Sequence, residues 1–244
     1  GCNPSVSTYV LPGLLAQFHR DYPRVRVELV EGGDADLQKM VQKEAIDFAV
    51  VTAPGAPRTL NVTLLGSEDL LVVTSLDHRL AGRESVSLEE LADEEWVFYT
   101  DSYNLTLLVM AACRRVGFEA NVSYRAGTME AVKNFVRQGL GISILPSISL
   151  RGSARHELAV IGVEGGLTRN LNLIRGRDRS MTRAARALTV SVSVTISRMM
   201  KQYTAAEIIA DAPGDYVAIP DAFIGDIDAG DVPIVGAAIE GELG

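Results

Sequence analysis

The segment from Gly127 to Pro146 constrains this chain more than any other, because helix, helix stop and buried strand follow one another without interruption. Val132, Phe135 and Val136 stand at helical spacing, and Gly139 supplies the left-handed position at which helices end and which other residues resist. Ile142, Ile144 and Leu145 then make a short apolar run closed by Pro146, so the whole reads as half of an α/β unit. Elsewhere strand-like runs (25–30, 46–51, 70–74, 96–99, 121–125, 142–145, 158–163, 170–175) alternate with helical patterns (6–21, 35–44, 88–93, 104–116, 129–138, 181–201). Such alternation predicts an α/β fold with largely parallel sheets. Segment 188–196 satisfies two periods at once: strict alternation gives a strand, whereas Leu188, Val192, Ile196 and Met199 share one helical stripe. The alanine-rich stretch 184–187 before it tips the reading to helix.

Charge is uneven along the chain. Residues 204–244 hold nine acidic residues and no Lys or Arg, which leaves 22 acids against 23 bases in residues 1–203. A near-neutral body with an acidic end disfavours direct nucleic-acid binding, since phosphate neutralisation needs a basic face. No apolar run approaches the length of a membrane span and the start has no signal-like character, so neither a span nor an export peptide is expected. Cys2 and Cys113 lack C-x-x-C or Cys/His spacing, which argues against a disulfide framework and a zinc site and predicts a reduced, cytoplasmic setting. Val217, Ile219, Phe223, Ile224, Ile227, Val232, Ile234, Val235 and Ile239 are spread among Asp, Gly and Pro in the acidic end, which is consistent with short strands folding back on the body or on a partner. Asp226, Asp228 and Asp231 do not meet the calcium-loop pattern, which needs glycine where Asp231 falls, so a solvated acidic turn is expected.

Several ordered stretches resemble one family. Ser5-Val6-Ser7-Thr8-Tyr9-Val10-Leu11-Pro12 through Phe18 and Tyr22-Pro23 are similar to the opening helix of the effector-binding domain of LysR-type transcriptional regulators. Ile46-Asp47-Phe48-Ala49-Val50, Asp77-His78-Arg79-Leu80-Ala81 (Arg where the family has Pro), Ser87-Leu88-Glu89-Glu90-Leu91-Ala92 and the helix-Gly-x-Gly-Ile-strand-Pro segment above match in order and spacing over residues 1–203. The resemblance implies two Rossmann-like subdomains joined by two crossover strands around a ligand cleft, as in type 2 periplasmic binding proteins. On that footing subdomain I spans 1–67 and 172–203, subdomain II spans 68–171, and 204–244 is an acidic extension of unknown role. It also implies a small-molecule effector, antiparallel homodimers within homotetramers, and DNA contact only through an upstream helix-turn-helix that this chain lacks. Gly1-Cys2 resembles the end of the family's first strand, so the sequence reads as a fragment of a longer parent. A type 2 solute-binding protein of a transporter is the alternative, on the same scaffold.

Ser5, Ser7 and Thr8 sit where the first strand meets the first helix, and their hydroxyls read either as ordinary caps or as a cradle for a carboxylate or other small anion. The resemblance favours effector contact for Ser5. Thr100 after one strand and Thr128 before the helix 129–138 fall at strand C-terminal ends, where open α/β sheets bind ligands, or are turn and cap hydroxyls. Asp34 after Gly32-Gly33 reads as a helix cap, and its carboxylate favours an amine over an anion, so effector charge stays open. Gly139-Leu140-Gly141 lies after a helix and before a strand, the reverse of a dinucleotide fingerprint, and Ser143 is not in G-x-S-x-G. His19, His78 and His156 are dispersed and read as solvated, and Arg114-Arg115 reads as a helix C-terminal charge pair. No acid/base pair, nucleophile arrangement, metal set or cofactor motif suggests an enzyme.

Overall fold

The computed structural model describes residues 1–52, 58–100, 103–151, 157–177, 180–202 and 204–210. The chain opens with two short helices, α1 (Pro4–Tyr9) and α2 (Leu11–Asp21), where the periodicity predicts one over 6–21. Pro12 explains the break: its ring nitrogen cannot donate to the preceding turn, so Val10 closes the first helix and begins the second. Helix α3 (Asp34–Gln42) leads to strand β1 (Phe48–Val51). Strand β2 (Leu60–Thr74) is far longer than the predicted run at 70–74, because its first half alternates burial with charged and polar residues that mask the pattern. Strands β3 (Ser85–Val86), β4 (Glu95–Tyr99), β5 (Asn121–Ala126), β6 (Ser143–Pro146), β7 (Ala159–Val163) and β8 (Thr168–Gly176) follow. Between them lie α4 (Asn104–Arg115) and α5 (Met129–Arg137), and the chain continues into α6 (Arg183–Gln202) and α7 (Ala205–Ala210).

The glycine stops are where the sequence places them. Gly139 lies at φ +73° directly after α5, and Gly117 at φ +96° after α4. Gly141 has a second reason for being glycine, since a Cβ there would stand 2.6 Å from the Glu95 carbonyl oxygen. Segment 188–196 is helical, inside α6, with Val192, Ile196 and Met199 buried on the stripe the sequence shows. Residues 88–93 form only a 3-10 turn (Glu89–Leu91), at whose start the Ser87 N–H donates to Glu90 Oε1 at 3.2 Å.

Two expectations fail on strand pairing. Residues 25–30 form no strand: the sole ladder contact of this stretch is Cys2 N–H to the Val30 carbonyl, and Val27 and Leu29 stay exposed. Alternation alone cannot make a strand when its edge finds no partner among the described residues. Nor are the sheets largely parallel. β4–β5 and β3–β7 pair parallel, but β2 pairs antiparallel with β6, β7 and β8, and β8 pairs antiparallel with β1. The cause is that β2 and β8 are crossing strands that run side by side from Leu60/Gly176 to Asp69/Thr168, with one bulge at Leu64–Gly66.

Buried side chains gather around both ends of this crossing pair. One cluster holds Leu70 to Val73, Trp96 to Tyr99, Val132, Val136, Ile144 and Ile161; a second holds Val6, Val10, Leu14, Leu173, Val192 and Ile196, with a smaller third around Leu37, Val51 and Ile174. The acidic end begins as part of the body: α7 puts Ile208 into the first cluster, and the Ala205 N–H donates to Asp69 Oδ2 at 2.6 Å. The remaining predicted strands of this end, and Asp226, Asp228 and Asp231, lie outside the described residues. Ile208→Ala removes a buried side chain and leaves a cavity, so it should lower unfolding stability by about 2–4 kcal/mol, read from urea denaturation of the whole chain; an unchanged midpoint would show that α7 does not pack on the body.

Candidate functional site

The polar groups converge on one small cavity at the middle of the crossing strands. Its walls are Asn3, Pro4 and Ser5 from the start of α1, Asp34 and Thr52 beside α3 and β1, Tyr99, Tyr103, Asn104 and Leu105 between β4 and α4, Met129 of α5, and Arg169 of β8. Six of the wall segments are thus the ends of strands or starts of helices, the edge at which α/β sheets present ligand contacts.

An ion pair lies at the base of this cavity. Arg169 donates from Nε to Glu68 Oε2 at 2.8 Å, and the two side chains are 4% and 0% exposed. Glu68 also accepts the Ile148 N–H at 3.0 Å, while Arg169 donates from Nη2 to Ser5 Oγ at 2.7 Å. Ser5 passes the chain on, donating to Asn3 Oδ1 at 2.8 Å. A buried pair costs several kcal/mol in desolvation and survives only when its remaining hydrogen-bonding capacity is met, which these neighbours do. On the opposite wall Asp34 Oδ2 accepts from the Thr52 N–H at 3.0 Å and its hydroxyl at 2.6 Å, and Asn104 Nδ2 reaches Thr52 Oγ1 at 3.4 Å. Tyr99 and Tyr103 stack at 4.6 Å between centroids, and burial together with Tyr103 holds the Tyr99 phenol well above its ordinary value.

A second contact ties α1 to α5, one residue along from Met129 of the cavity wall. Tyr9 of α1 donates its hydroxyl to Glu130 Oε1 at 2.7 Å, and Lys133 of α5, itself buried, reaches Glu130 at 2.6 Å, the Tyr9 hydroxyl at 3.2 Å and the Ser149 carbonyl at 3.1 Å. The Lys133 ammonium also lies 5.3 Å from the Tyr9 ring centre. Burial pushes the Glu130 carboxyl up, but the hydrogen bonds from Lys133 and Tyr9 outweigh it and hold the group below its ordinary value. Helices α1 and α5 are thereby latched.

Of the residues singled out in the sequence, Ser5 lines the cavity, with its hydroxyl both donating and accepting. Ser7 is buried but donates to Pro4 O and Glu31 Oε1, and Thr8 is exposed. Thr100 follows β4 with its N–H on the Ala126 carbonyl, and Thr128 is the exposed N-cap of α5, accepting the Ala131 N–H. These four do not line the cavity. Asp34 is the first residue of α3 rather than its cap, which is Gly33, and its carboxylate is spent on Thr52. His78 is not free in solvent: Nε2 lies 3.1 Å from Glu94 Oε2 and Nδ1 accepts the Leu80 N–H, because the 77–81 turn folds against the 3-10 turn. His156 lies outside the described residues. Sequence reasoning missed Asn3, Thr52, Tyr103, Asn104, Glu68 and Arg169. The last two left no trace, since each sits in a polar stretch, Ser67-Glu68-Asp69 and Thr168-Arg169-Asn170, where one more charge does not stand out.

A larger cavity of about 460 Å³ lies elsewhere, between Val25–Leu29, Ile46–Phe48 and the Leu188–Val192 face of α6. It is the gap beside the 25–30 stretch, and neither the Glu68–Arg169 network nor the Asp34–Thr52 pair lines it. Among the described residues no group of three His, Cys, Asp or Glu could hold a metal ion, and no helix is long and apolar enough to cross a membrane.

The family model for the LysR substrate binding domain matches residues 1–192. The chain belongs to that family. As a LysR substrate-binding domain it is 30% identical over 188 residues to the uncharacterized HTH-type transcriptional regulator YwbI of Bacillus subtilis, covering 77% of this chain and 62% of the relative. It is 27% identical over 150 residues to the hydrogen peroxide-inducible genes activator of Pectobacterium carotovorum, covering 62% of this chain and 50% of that protein. The chain thus spans between half and two thirds of the length of these curated relatives. Among solved structures, the effector binding domain of QuiR in complex with shikimate superposes with a TM-score of 0.71, covering 84% of this chain and 96% of QuiR's, at 20% identity, a likeness of fold. The two-lobed α/β architecture with crossing strands is therefore that of LysR effector-binding domains, as the resemblance implies, and the transporter alternative falls away.

The ion pair gives a direct check on the site. Arg169→Met strands the Glu68 carboxylate without its cation and should cost about 3–5 kcal/mol, whereas Glu68→Gln with Arg169→Met should recover at least about 1 kcal/mol of that loss in a double-mutant cycle. Additive losses in urea titrations would mean that the two side chains do not interact.

Proposed function

We propose that this LysR substrate-binding domain senses a small molecule in the cavity between Ser5, Arg169 and the Tyr99–Tyr103 pair, recognises it without chemical conversion, and reports its presence as a change in the angle between two lobes. The lobes are residues 1–67 with 172–203, and 68–171. The observation that carries the reading is the cavity itself: its walls come from both lobes and from a crossing strand, and its volume is about 20 Å³, room for roughly one water. A metabolite therefore has to enter an opened form, and a ligand that binds one lobe angle better than another shifts the population between them. The Tyr9–Glu130–Lys133 contact and the Asn104–Thr52 contact hold the closed form.

In the longer protein this movement would reposition a DNA-binding helix-turn-helix, in the cytoplasm, within a dimer or tetramer. What supports this part is the family and the HTH-type name of the relative. Ser7, Thr8, Thr100 and Thr128 would act around the rim once the lobes part, with Ser5 inside.

The name of the peroxide-inducible relative raises a thiol-based alternative, and the cysteines of this chain speak against it. Cys2 and Cys113 are both buried, and burial pushes each thiol up to about 11, so neither supplies the thiolate that oxidant sensing needs near neutral pH.

The test is a thermal-shift screen of small metabolites on the chain. A true effector at a hundredfold excess over its Kd should raise Tm by about 5 °C or more. The same compound should bind at least about tenfold more weakly to Ser5→Ala/Tyr103→Ala. If that double variant is stabilised as strongly as the parent, the compound binds elsewhere and the cavity is not the site.

A further inference from the structure

Residues beyond 192 lie outside the family match, and there the chain passes from one cluster of buried side chains to the other. Helix α6 packs on β2 and α2, and its Val192, Ile196, Met199 and Met200 belong to the second cluster. Its last turns are fastened to the bulge of β2. The Ser197 hydroxyl donates to the carbonyl of Leu65, the residue that the bulge leaves out of the register, at 2.7 Å. A Cβ on Gly66 would stand 2.7 Å from the Met200 Cβ, so glycine is what lets the helix approach the strand this closely. Helix α7 follows with two residues between, and it packs on β7, β2 and the Ser147–Leu150 turn. There Ile208 is buried in the first cluster, a Cβ on Gly162 would lie 3.4 Å from Ile209 Cδ1, and Asp69 Oδ2 accepts the Ala205 N–H at 2.6 Å. Six residues are too few to hold a helix in water unaided, so α7 stands because it is docked. The two anchor points on β2, Leu65 and Asp69, are roughly 13 Å apart along the strand and lie on either side of the 67/68 lobe boundary.

Resting on the reading of 1–67 with 172–203 and 68–171 as two lobes, we infer that α7 is a strap, a third connection across the hinge that sets how far the lobes can part before α7 has to leave its seat. The crossing strands β2 and β8 are neighbours in one sheet, so by themselves they form a narrow ribbon about which the lobes can rock and twist. Helix α6 stacks on that ribbon at Gly66, so the strap crosses beside the axis rather than along it. A rotation that draws Asp69 away from the end of α6 has to be taken up between Gln202 and Ala205, which even fully extended span only roughly 10 Å. Beyond that reach the last turn of α6 frays or α7 undocks. Undocking is a local event. It takes Ile208 and Ile209 off the first cluster and frees Asp69, and it shares no residue with the Glu68–Arg169 pair, the cavity wall or the Tyr9–Glu130–Lys133 contact. Opening and release of α7 are then linked equilibria: whatever displaces α7 widens the range of lobe angles, and a widely opened form exposes Ile208.

The test separates the link from the packing. Six Gly/Ser residues inserted between Tyr203 and Thr204 leave α7 able to dock but give the link roughly 13 Å more reach, whereas Ile208→Asp puts a charge into the buried seat and expels the helix. Dyes at Asp36→Cys on α3 and Glu119→Cys after α4, both exposed, read the lobe separation by time-resolved energy transfer in the whole chain. Hydrogen exchange of the Ile208 N–H, which donates to the Thr204 carbonyl at 3.0 Å, reads docking. Both changes are made in the Lys133→Met background, so that the contact between α1 and α5 does not mask the strap. Each should push the long edge of the distance distribution outward by at least about 5 Å relative to Lys133→Met alone. The insertion should do so with the Ile208 N–H still protected, and Ile208→Asp with that protection reduced at least about tenfold. An insertion that leaves the distribution of Lys133→Met unchanged, when Lys133→Met is itself broader than the parent, overturns the strap while the lobes still move. One narrow distance in every variant, Lys133→Met included, overturns the two-lobe reading together with the strap. If Ile208→Asp does not fold, the insertion, which removes no buried side chain, decides the matter alone.

Discussion

The pairing of Glu68 with Arg169 on neighbouring crossing strands is the contact on which the rest of the structure turns. The side chains meet where β2 and β8 leave one cluster of buried residues for the other, and each is completed by a group from a different direction, Ile148 N–H on one side and Ser5 on the other. Such a pair adds little net stability over an apolar replacement, because two ions must be desolvated to make it. What it does contribute is register. A slip of one residue in β2 against β8 would turn Glu68 or Arg169 to the opposite face and leave a buried charge alone. The cavity inherits its shape from this register, since Arg169 sets the position of Ser5 and Ser5 that of Asn3.

Much of the fold was legible in the sequence because local chemistry wrote it. Gly139 and Gly117 stop helices at positive φ, the apolar run before Pro146 is a fully buried strand, and the alanine-rich lead into 188–196 was enough to choose helix over strand. What was lost depended on partners far along the chain. The 25–30 alternation is a real strand pattern that, among the described residues, meets only Cys2 at its far end, and the first half of β2 became visible as strand only through its pairing with β8, more than a hundred residues away. Pro12 was read as a mark of the family helix when its physical effect is to divide that helix in two.

The site was legible only where a residue type advertised itself. Hydroxyls at helix starts drew notice, and Ser5 does line the cavity, whereas Ser7 bonds to Pro4 and Glu31, Thr128 caps α5, and Thr8 and Thr100 stand off the cavity lining. Asn3 has no sequence signal beyond being a plausible cap, and its distinguishing feature, one half of an amide satisfied and the other not, exists only in three dimensions. Arg169 and Glu68 sit in different crossing strands, so their meeting is a property of topology. The family membership narrows the function to sensing.

Movement of the two proposed lobes about the crossing strands, with contacts across the cavity holding them shut, is open to direct measurement. Spin labels at Lys43→Cys beside α3 and at Leu107→Cys, exposed on α4, report that separation directly by pulsed dipolar spectroscopy, and the buried native thiols do not compete for label. One narrow distance is expected in the parent background and a broader, longer distribution in Lys133→Met, where the ammonium that joins α1 to α5 through Tyr9 and Glu130 is gone. The same narrow distance in both backgrounds would contradict it, for the lobes would then be a single rigid body with no movement for a ligand to bias.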